Sequence, residues 1–298
     1  MTHAPRFPVA ALLALALAGA ACVDIVAAQY VDRQDKRFTV NGTPDVSLST
    51  FDGSIEVRPW DRPEVLVTVE KHARDKADAD AIEVHAEQNG NRIVVEVRRD
   101  KSRDFGVHIG WNQGRSARLI VQMPASATVA LSSGDGSIDI ERISGRFDLR
   151  SGDGSIHAQD LSGDVKAHTG DGSIKLLGAN GALDVDTGDG SITVDGKVAG
   201  LRVRSGDGGV SVRAAPGSAT AGDWTITTGD GSIALELPDG FNADLDAHAG
   251  DGSVHVEGIT LSNVTGRIGR HSIRGQLGSG GRAVRVRTGD GSISVRRF

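Results

Sequence analysis

The chain is poor in the groups that staple or specialise a fold. Its single cysteine, Cys22, among 298 residues excludes an intrachain disulfide and a thiolate metal cluster. Basic charge is not in excess: 33 Lys and Arg against 39 Asp and Glu give −6, with both signs spread along the chain, so nucleic acid is excluded as a partner. Proline is scarce at 8 while glycine reaches 40, a combination unlike a disordered Pro/Gly tract. No stretch approaches the 18 or so apolar residues of a membrane-spanning helix. A fold built from this chain is held by burial and backbone pairing, and something periodic uses the glycines.

Residues 1–21 read as a secretory signal peptide, with His3 and Arg6 ahead of an apolar run from Val9 to Leu17 and then small residues. Cleavage after Ala28 would extend it to residue 28. Cys22 directly follows Leu17-Ala18-Gly19-Ala20-Ala21, which resembles the lipobox of bacterial lipoproteins, although Gly19 stands where that motif usually has Leu. The resemblance implies a lipid on Cys22 as the sole attachment to a membrane, and Val23 beside it carries no inner-membrane retention signal. The expected location is the periplasm or cell envelope, with anchoring to the outer membrane. Residues 22–36 read as a linker.

A hexapeptide, Ser/Thr-Gly-Asp-Gly-Ser-Ile/Val, begins at Ser133, Ser151, Thr169, Thr187, Thr228 and Thr288, with near copies at Ser205 and Ala249. Residues Ile268 to Ile273 keep the spacing without Asp-Gly and read as a decayed ninth copy. From Gly134 the steps are 18, 18, 18, 18, 23, 21, 19 and 20 residues, the signature of a solenoid with one coil per repeat. Aligned on that period, Ile138, Ile156, Ile174, Ile192 and Val210 form one apolar column, and Ile140, Ala158, Leu176, Val194 and Val212 the next, two residues on. Half a coil later come Phe147, Val165, Leu183 and Leu201, then Leu149, Ala167, Val185 and Val203. Period two means strands. Each coil therefore supplies two short strands, joined by a Gly-Asp-Gly-Ser corner and a looser corner at Gly145, Gly163 and Gly181. The first corner is expected to use the tolerance of Asp and Gly for positive φ and the bond of Asp to its own backbone. At about 4.8 Å per coil, nine copies make a rod of roughly 43 Å. Asp148, Lys166, Asp184 and Arg202 alternate in sign, as vertical neighbours should.

The fold expected is all-β: a single-chain β-solenoid (β-helix-like) of about 18 residues per coil over 126–298, with a degenerate β-rich part over 37–125 capping one end. There, strands are expected at 38–40, 46–50, 55–60, 65–69, 82–86, 93–97, 107–111 and 119–122, a hairpin at Asn89-Gly90, and one helical turn between Asp75 and Ala81. Phe51-Asp52-Gly53-Ser54-Ile55 is an early copy of the repeat. The succession of SLSTFDGSIEVRPWD, RLIVQMPASATVALSSGDGSI and serial GDGSI coils resembles the bacterial putative adhesin family, over residues 37 to 298. The resemblance implies a β-solenoid outside the cytoplasm and brings no catalytic residues.

For chemistry, the ladder Asp135, Asp153, Asp171, Asp189, Asp207, Asp230, Asp251 and Asp290 stands out. Stacked carboxylates about 5 Å apart repel by roughly 1 kcal/mol even in water, which a cation would relieve. Yet calcium solenoids place Asp elsewhere in their repeat, and the matching position here varies through Asp139, His157, Lys175 and Thr193. The ladder reads as turn structure. An EF-hand over Asp184 to Asp189 fails because Asp189 sits where that loop needs Gly. Lyase or hydrolase chemistry on a β-helix needs carboxylates converging in a groove, and the one conspicuous break, Arg267, Arg270, His271 and Arg274, offers no acid nearby in sequence. No serine elbow, zinc motif or phosphate loop occurs. His157, His168 and His248 read as solvated surface, and Trp60, Trp111 and Trp224 as core ends more than sugar platforms. Exposed columns are expected to change residue type from coil to coil. The function expected is a non-enzymatic structural or adhesin-like interaction module at the bacterial envelope, without cofactor, binding an envelope protein or polysaccharide. A carbohydrate-active β-helix enzyme and a calcium-stabilised solenoid are the alternatives.

Overall fold

The computed structural model describes residues 30–100, 115–218, 221–266 and 270–298. In chain order these hold β1 (Tyr30–Thr39), β2 (Asp45–Thr50), β3 (Ile55–Pro59), β4 (Glu64–Ala73), the helix α1 (Lys76–Asp80), β5 (Ile82–Asn89), β6 (Arg92–Arg99), β7 (Ser116–Met123), β8 (Ser126–Ser133) and β9 (Ile138–Glu141). Then follow β10 (Ser144–Ser151), β11 (Ile156–Gln159), β12 (Ser162–Thr169), β13 (Ile174–Thr187), β14 (Ile192–Ser205), β15 (Val210–Ala214), β16 (Trp224–Thr228) and β17 (Ile233–Leu237). The last are β18 (Ala243–Ala249), β19 (Val254–Glu257), β20 (Leu261–Gly266), β21 (Ser272–Leu277), β22 (Ala283–Thr288) and β23 (Ile293–Arg297).

The apolar columns stack as the period requires. Ile138 is the Cα partner of Ile156, and Ile156 of Ile174, in parallel register. On the facing sheet Phe147 pairs with Val165, Val165 with Leu183, and Leu183 with Leu201. All of these side chains are buried, so two walls of short parallel strands close over one narrow core. Phe147 is fully buried; Phe147→Ala is expected to cost about 3–5 kcal/mol, measured by denaturant unfolding. Asp148, Lys166, Asp184 and Arg202 are indeed successive neighbours.

The glycines of the main corner serve a different purpose from the one expected. Among the described residues Gly53 is the one glycine of the main corner in the positive-φ range; the others have ordinary φ and are small because coils touch there. A Cβ on Gly154, Gly172 or Gly190 would lie 2.2, 2.2 or 2.0 Å from the carbonyl oxygen of the matching glycine one coil below. The corner is closed by the hydroxyl that opens the hexapeptide, in the role expected of Asp. Thr187 Oγ1 donates to the Gly172 carbonyl at 2.8 Å, and Ser151 Oγ donates to the Gly136 carbonyl at 2.9 Å while accepting from Gly154 N–H at 3.0 Å. Thr187 is buried, so Thr187→Val leaves a buried carbonyl without that donor; a loss of about 1–3 kcal/mol is expected in thermal or denaturant melts. The second corner does use left-handed glycine: Gly145, Gly163 and Gly181 have φ of 147°, 127° and 148°.

Coils do not stack in chain order. The early copy, β2 and β3, lies between β6/β7 on one side and β8/β9 on the other. The last copy, β22 and β23, lies between β16/β17 and β18/β19. The segment read as a decayed copy is no coil. Residues 267–269 lie outside the described part, and β21 beyond them runs antiparallel to β18, followed by β20 antiparallel to β21. Without Gly-Asp-Gly, the chain cannot make the close corner that returns it to a parallel path.

At the other end, β1 pairs antiparallel with β4, β4 with β7, and β5 with β6 through a turn at Gly90, φ 60°. β1 begins at Tyr30, inside the stretch read as linker. Its DRQDKR run lacks apolar alternation because among the described residues it is an edge strand, paired with β4 alone, where charges block pairing with other chains. The strand expected at 107–111 lies outside the described residues. Asp75 caps α1, accepting from Asp78 N–H at 2.8 Å. The Asp78 carboxylate accepts from Arg74 Nε at 2.7 Å and Arg115 Nη2 at 2.6 Å. The Arg74 hydrogen bond, with Arg115 adding and burial opposing, holds its pKa below the ordinary carboxylate value. A depressed folded pKa contributes stability above the unfolded value, lost as pH falls below about 4. Asp78→Asn is expected to lower the melting point at neutral pH and to flatten the loss between about pH 5 and about pH 3.

Candidate functional site

The stack turns one corner and one wall into repeating surfaces. Asp135, Asp153, Asp171, Asp189, Asp207, Asp230, Asp290 and Asp251, in spatial order, project at the main corner and are exposed. Beside them runs a file of corner serines. Ser155 Oγ accepts from Ser173 N–H at 3.2 Å, the Ser173 and Ser191 hydroxyls are 3.2 Å apart, and those of Ser253 and Ser292 3.4 Å apart. These two columns keep their residue type, contrary to the expectation that every exposed column varies; only Gly209 interrupts the serines. The repetition is legible in the hexapeptide itself, where turn formation accounts for it first and cation binding is the alternative. Among the described residues no three His, Cys, Asp or Glu side chains group as metal ligands. The ladder is a file with one carboxylate per coil, not a cage.

The outer face of the wall after the corner has two zones. At one end Arg58, Asp139, Glu141, His157, Gln159 and Lys175 line a groove of about 300 Å³. Strand pairing brings them together: β3 beside β9, β9 beside β11, β11 beside β13. His157 Nδ1 lies 3.5 Å from Asp139 Oδ1. Glu141 pairs with Arg58 and, at 2.5 Å, with Arg142 Nη2. The Arg58 hydrogen bond, against burial and with Arg142 assisting, keeps the Glu141 carboxyl below its ordinary pKa. Two carboxylates thus face one groove, two residues apart on β9, and one is locked as an anion. A glycosidase acid needs the reverse, a carboxyl raised until it holds its proton. Toward the other end Ser191, Thr193, Ser211, Ser232, Ala234, Ser292 and Ser294 line a shallow depression of about 420 Å³, small hydroxyls on a nearly flat sheet.

The remaining sequence candidates resolve into structure. Trp224 is buried, with its ring centroid 5.1 Å from that of Phe241, and fills the core. Trp60 donates from Nε1 to the Glu64 carbonyl at 2.7 Å and carries the Arg62 guanidinium 5.0 Å above its ring. Trp111, Arg267 and Cys22 lie outside the described residues. The Arg270–Arg274 patch has an acid after all. Asp246 meets Arg274 Nε at 3.1 Å and Arg287 Nη2 at 2.6 Å, a partner hidden from sequence because β18 and β21 pair antiparallel at Asp246 and Arg274. His168 Nδ1 is 3.8 Å from Asp186 on the neighbouring strand.

A parallel, two-walled stack whose corners are glycine-tight and whose faces carry repeated polar files is the β-solenoid class of all-β protein. Within that class, the chain belongs to the Toastrack DUF4097 family, matched over residues 44–296. Solved structures to which the chain is similar include a putative cell adhesion protein from Clostridium sporogenes, 14% identical, TM-score 0.33, covering 90% of this chain and 100% of that one. A putative adhesin from Bacteroides fragilis is 10% identical, TM-score 0.45, with coverages of 90% and 97%. A putative lipid binding protein from Parabacteroides distasonis is 12% identical, TM-score 0.36, with coverages of 89% and 96%. No curated protein matches the chain.

Proposed function

We propose that the protein is an exported, non-enzymatic β-solenoid that serves as a structural or adhesin-like interaction module at the bacterial cell envelope. The observation that carries this reading is the charged groove on the outer wall. Its Arg58, Glu141, His157 and Lys175 present a fixed pattern of donors and acceptors on rigid strands, while the arginine-locked Glu141 is unfit for acid catalysis. Such a surface suits binding of a polar chain, an envelope polysaccharide or a protein, more than bond cleavage. The signal-peptide character of residues 1–21 supports export, and the lipobox-like position of Cys22 supports a lipid anchor. Calcium stabilisation of the Asp ladder is the lesser reading; an unchanged melting point at millimolar calcium removes it.

The test is capture from envelope extract and on immobilised envelope polysaccharides with the mature chain and an Arg58→Glu/Lys175→Glu variant. The expected result is retention by the native chain, lost in the variant at unchanged melting temperature. Release of shortened polysaccharide by the native chain would contradict the non-enzymatic reading, and equal retention would move binding off the groove. For the anchor, palmitate labelling is expected in the native chain and absent from Cys22→Ala.

A further inference from the structure

The slot that holds the last coil is an electrostatic receptor. The inserted segment, residues 282–298, carries Arg282, Arg285, Arg287, Arg296 and Arg297 against one acid, Asp290. The coil on one side, residues 223–239, carries Asp223, Asp230, Glu236 and Asp239 and no lysine or arginine; the coil on the other, residues 243–257, carries Asp244, Asp246, Asp251 and Glu257 and likewise none. The arginines reach both walls: Arg285 Nη1 to Asp223 at 3.0 Å, Arg297 Nε to Asp239 at 2.9 Å and Arg287 Nη2 to Asp246 at 2.6 Å, with Arg296 paired to Glu236. Stacked directly on each other, the two flanking coils would set acid against acid, a like-charge arrangement that specificity exploits. The slot is therefore selective for a basic strand pair with a Gly-Asp-Gly-Ser corner.

Between the end of β21 and the start of β22 lie residues 278–282, the last of them the first residue of the segment. Gly278, Gly280 and Gly281 there have φ of 56°, 76° and 150°, so the loop can change course without side-chain clash. It crosses over the end of β18, since β21 and β22 lie on opposite sides of that strand. Its tether is Asn242 Oδ1, which accepts from Ser279 N–H at 2.9 Å and Ser279 Oγ at 3.2 Å. Extended, five residues reach about 17 Å, enough to carry the coil clear of its layer, which is about 4.8 Å thick.

We propose that this slot accepts the same coil from a second copy of the chain, so that residues 282–298 are exchanged between protomers and the module assembles by reciprocal insertion. Every pairing and ion pair of the inserted coil is regained in the partner; only the loop changes course, the condition under which segment exchange is cheap.

Ala234 and Ser294 are direct register partners on β17 and β23 with outward side chains, and neighbouring strands about 4.8 Å apart meet the Cα separation a disulfide needs. Two chains, Ala234→Cys and Ser294→Cys, each with Cys22→Ser, are unfolded, mixed, refolded and oxidised. A disulfide-linked heterodimer is expected in the mixture and in neither chain alone, increasing with protein concentration during refolding. The double variant in one chain, refolded dilute, is expected to crosslink within the monomer. Monomer alone in the mixture while the double variant crosslinks would overturn the proposal, as would a dimer lacking the mixed disulfide, which would place association elsewhere. A double variant that fails to crosslink would overturn the register on which the slot rests.

Discussion

Removing residues 282–298 is expected to release everything beyond Leu237 from the rod, although only 17 of 298 residues are lost. β18 and β19 are joined to the stack through β22 and β23, not through β16 and β17. The deletion takes out Val284, Val286, Ile293 and Val295, all fully buried. At about 1.5–3 kcal/mol each, these four contribute roughly 6–12 kcal/mol of burial, a large fraction of the stability of an ordinary domain. It also uncovers Trp224, which lies against Val284 in the stack. Limited proteolysis is expected to cut the shortened chain at the exposed Asp239–Gly240 turn, and the emission of the buried Trp224 to shift to the red. A shortened chain as protease-resistant as the native one would mean that 243–257 docks on 224–237 directly, against the charge argument for the slot.

Gly190→Ala is expected to be severely damaging through one methyl group. Its Cβ would stand 2.0 Å from the Gly172 carbonyl oxygen, which cannot retreat because it accepts the Thr187 hydroxyl. The coils would have to part along the column, and a loss above about 4 kcal/mol is expected, the range of mutations that break a structural device. Gly222→Ala is the control: no atom lies within 4 Å of its Cβ position, and a change within about 0.5 kcal/mol is expected. Comparable melts for the two variants would show that the corner is not tight.

Why so much of the fold was legible follows from its parallel, in-register build. Each coil repeats the same neighbours, so Ile138, Ile156 and Ile174 had to recur at the coil length, and their burial shows as alternation. Two things were not legible for the same reason. A copy of the hexapeptide says that a coil exists but not which coil it touches, so the positions of Phe51-Asp52-Gly53 and Thr288-Gly289-Asp290 in the stack were hidden. The clue to the second was charge: five arginines from Arg282 onward, between flanks whose charged residues are all acids. The cause of the glycines was also misread, because Asp-Gly looks alike whether it bends the chain through positive φ or makes room for a neighbour. A buried hydroxyl at the head of each copy was the sign of tight stacking, since Ser and Thr alternate freely there while no apolar residue except Ala249 appears. The charged groove came least from sequence. Arg58 and Glu141 are 83 positions apart, and only the insertion of β3 beside β9 joins them. The partner of Arg274 was hidden likewise, by strand reversal.

Spin-label distances from Lys175 test the central claim most directly. Lys175, Thr193, Ser211, Ala234, Ser294 and His255 are successive positions across the outer wall. The account predicts about 19 Å between backbones at Lys175 and Ser294, four strands away, and about 24 Å at Lys175 and His255, five away. Stacking in chain order would reverse the two, with His255 the nearer, and distances beyond about 40 Å would contradict the solenoid itself.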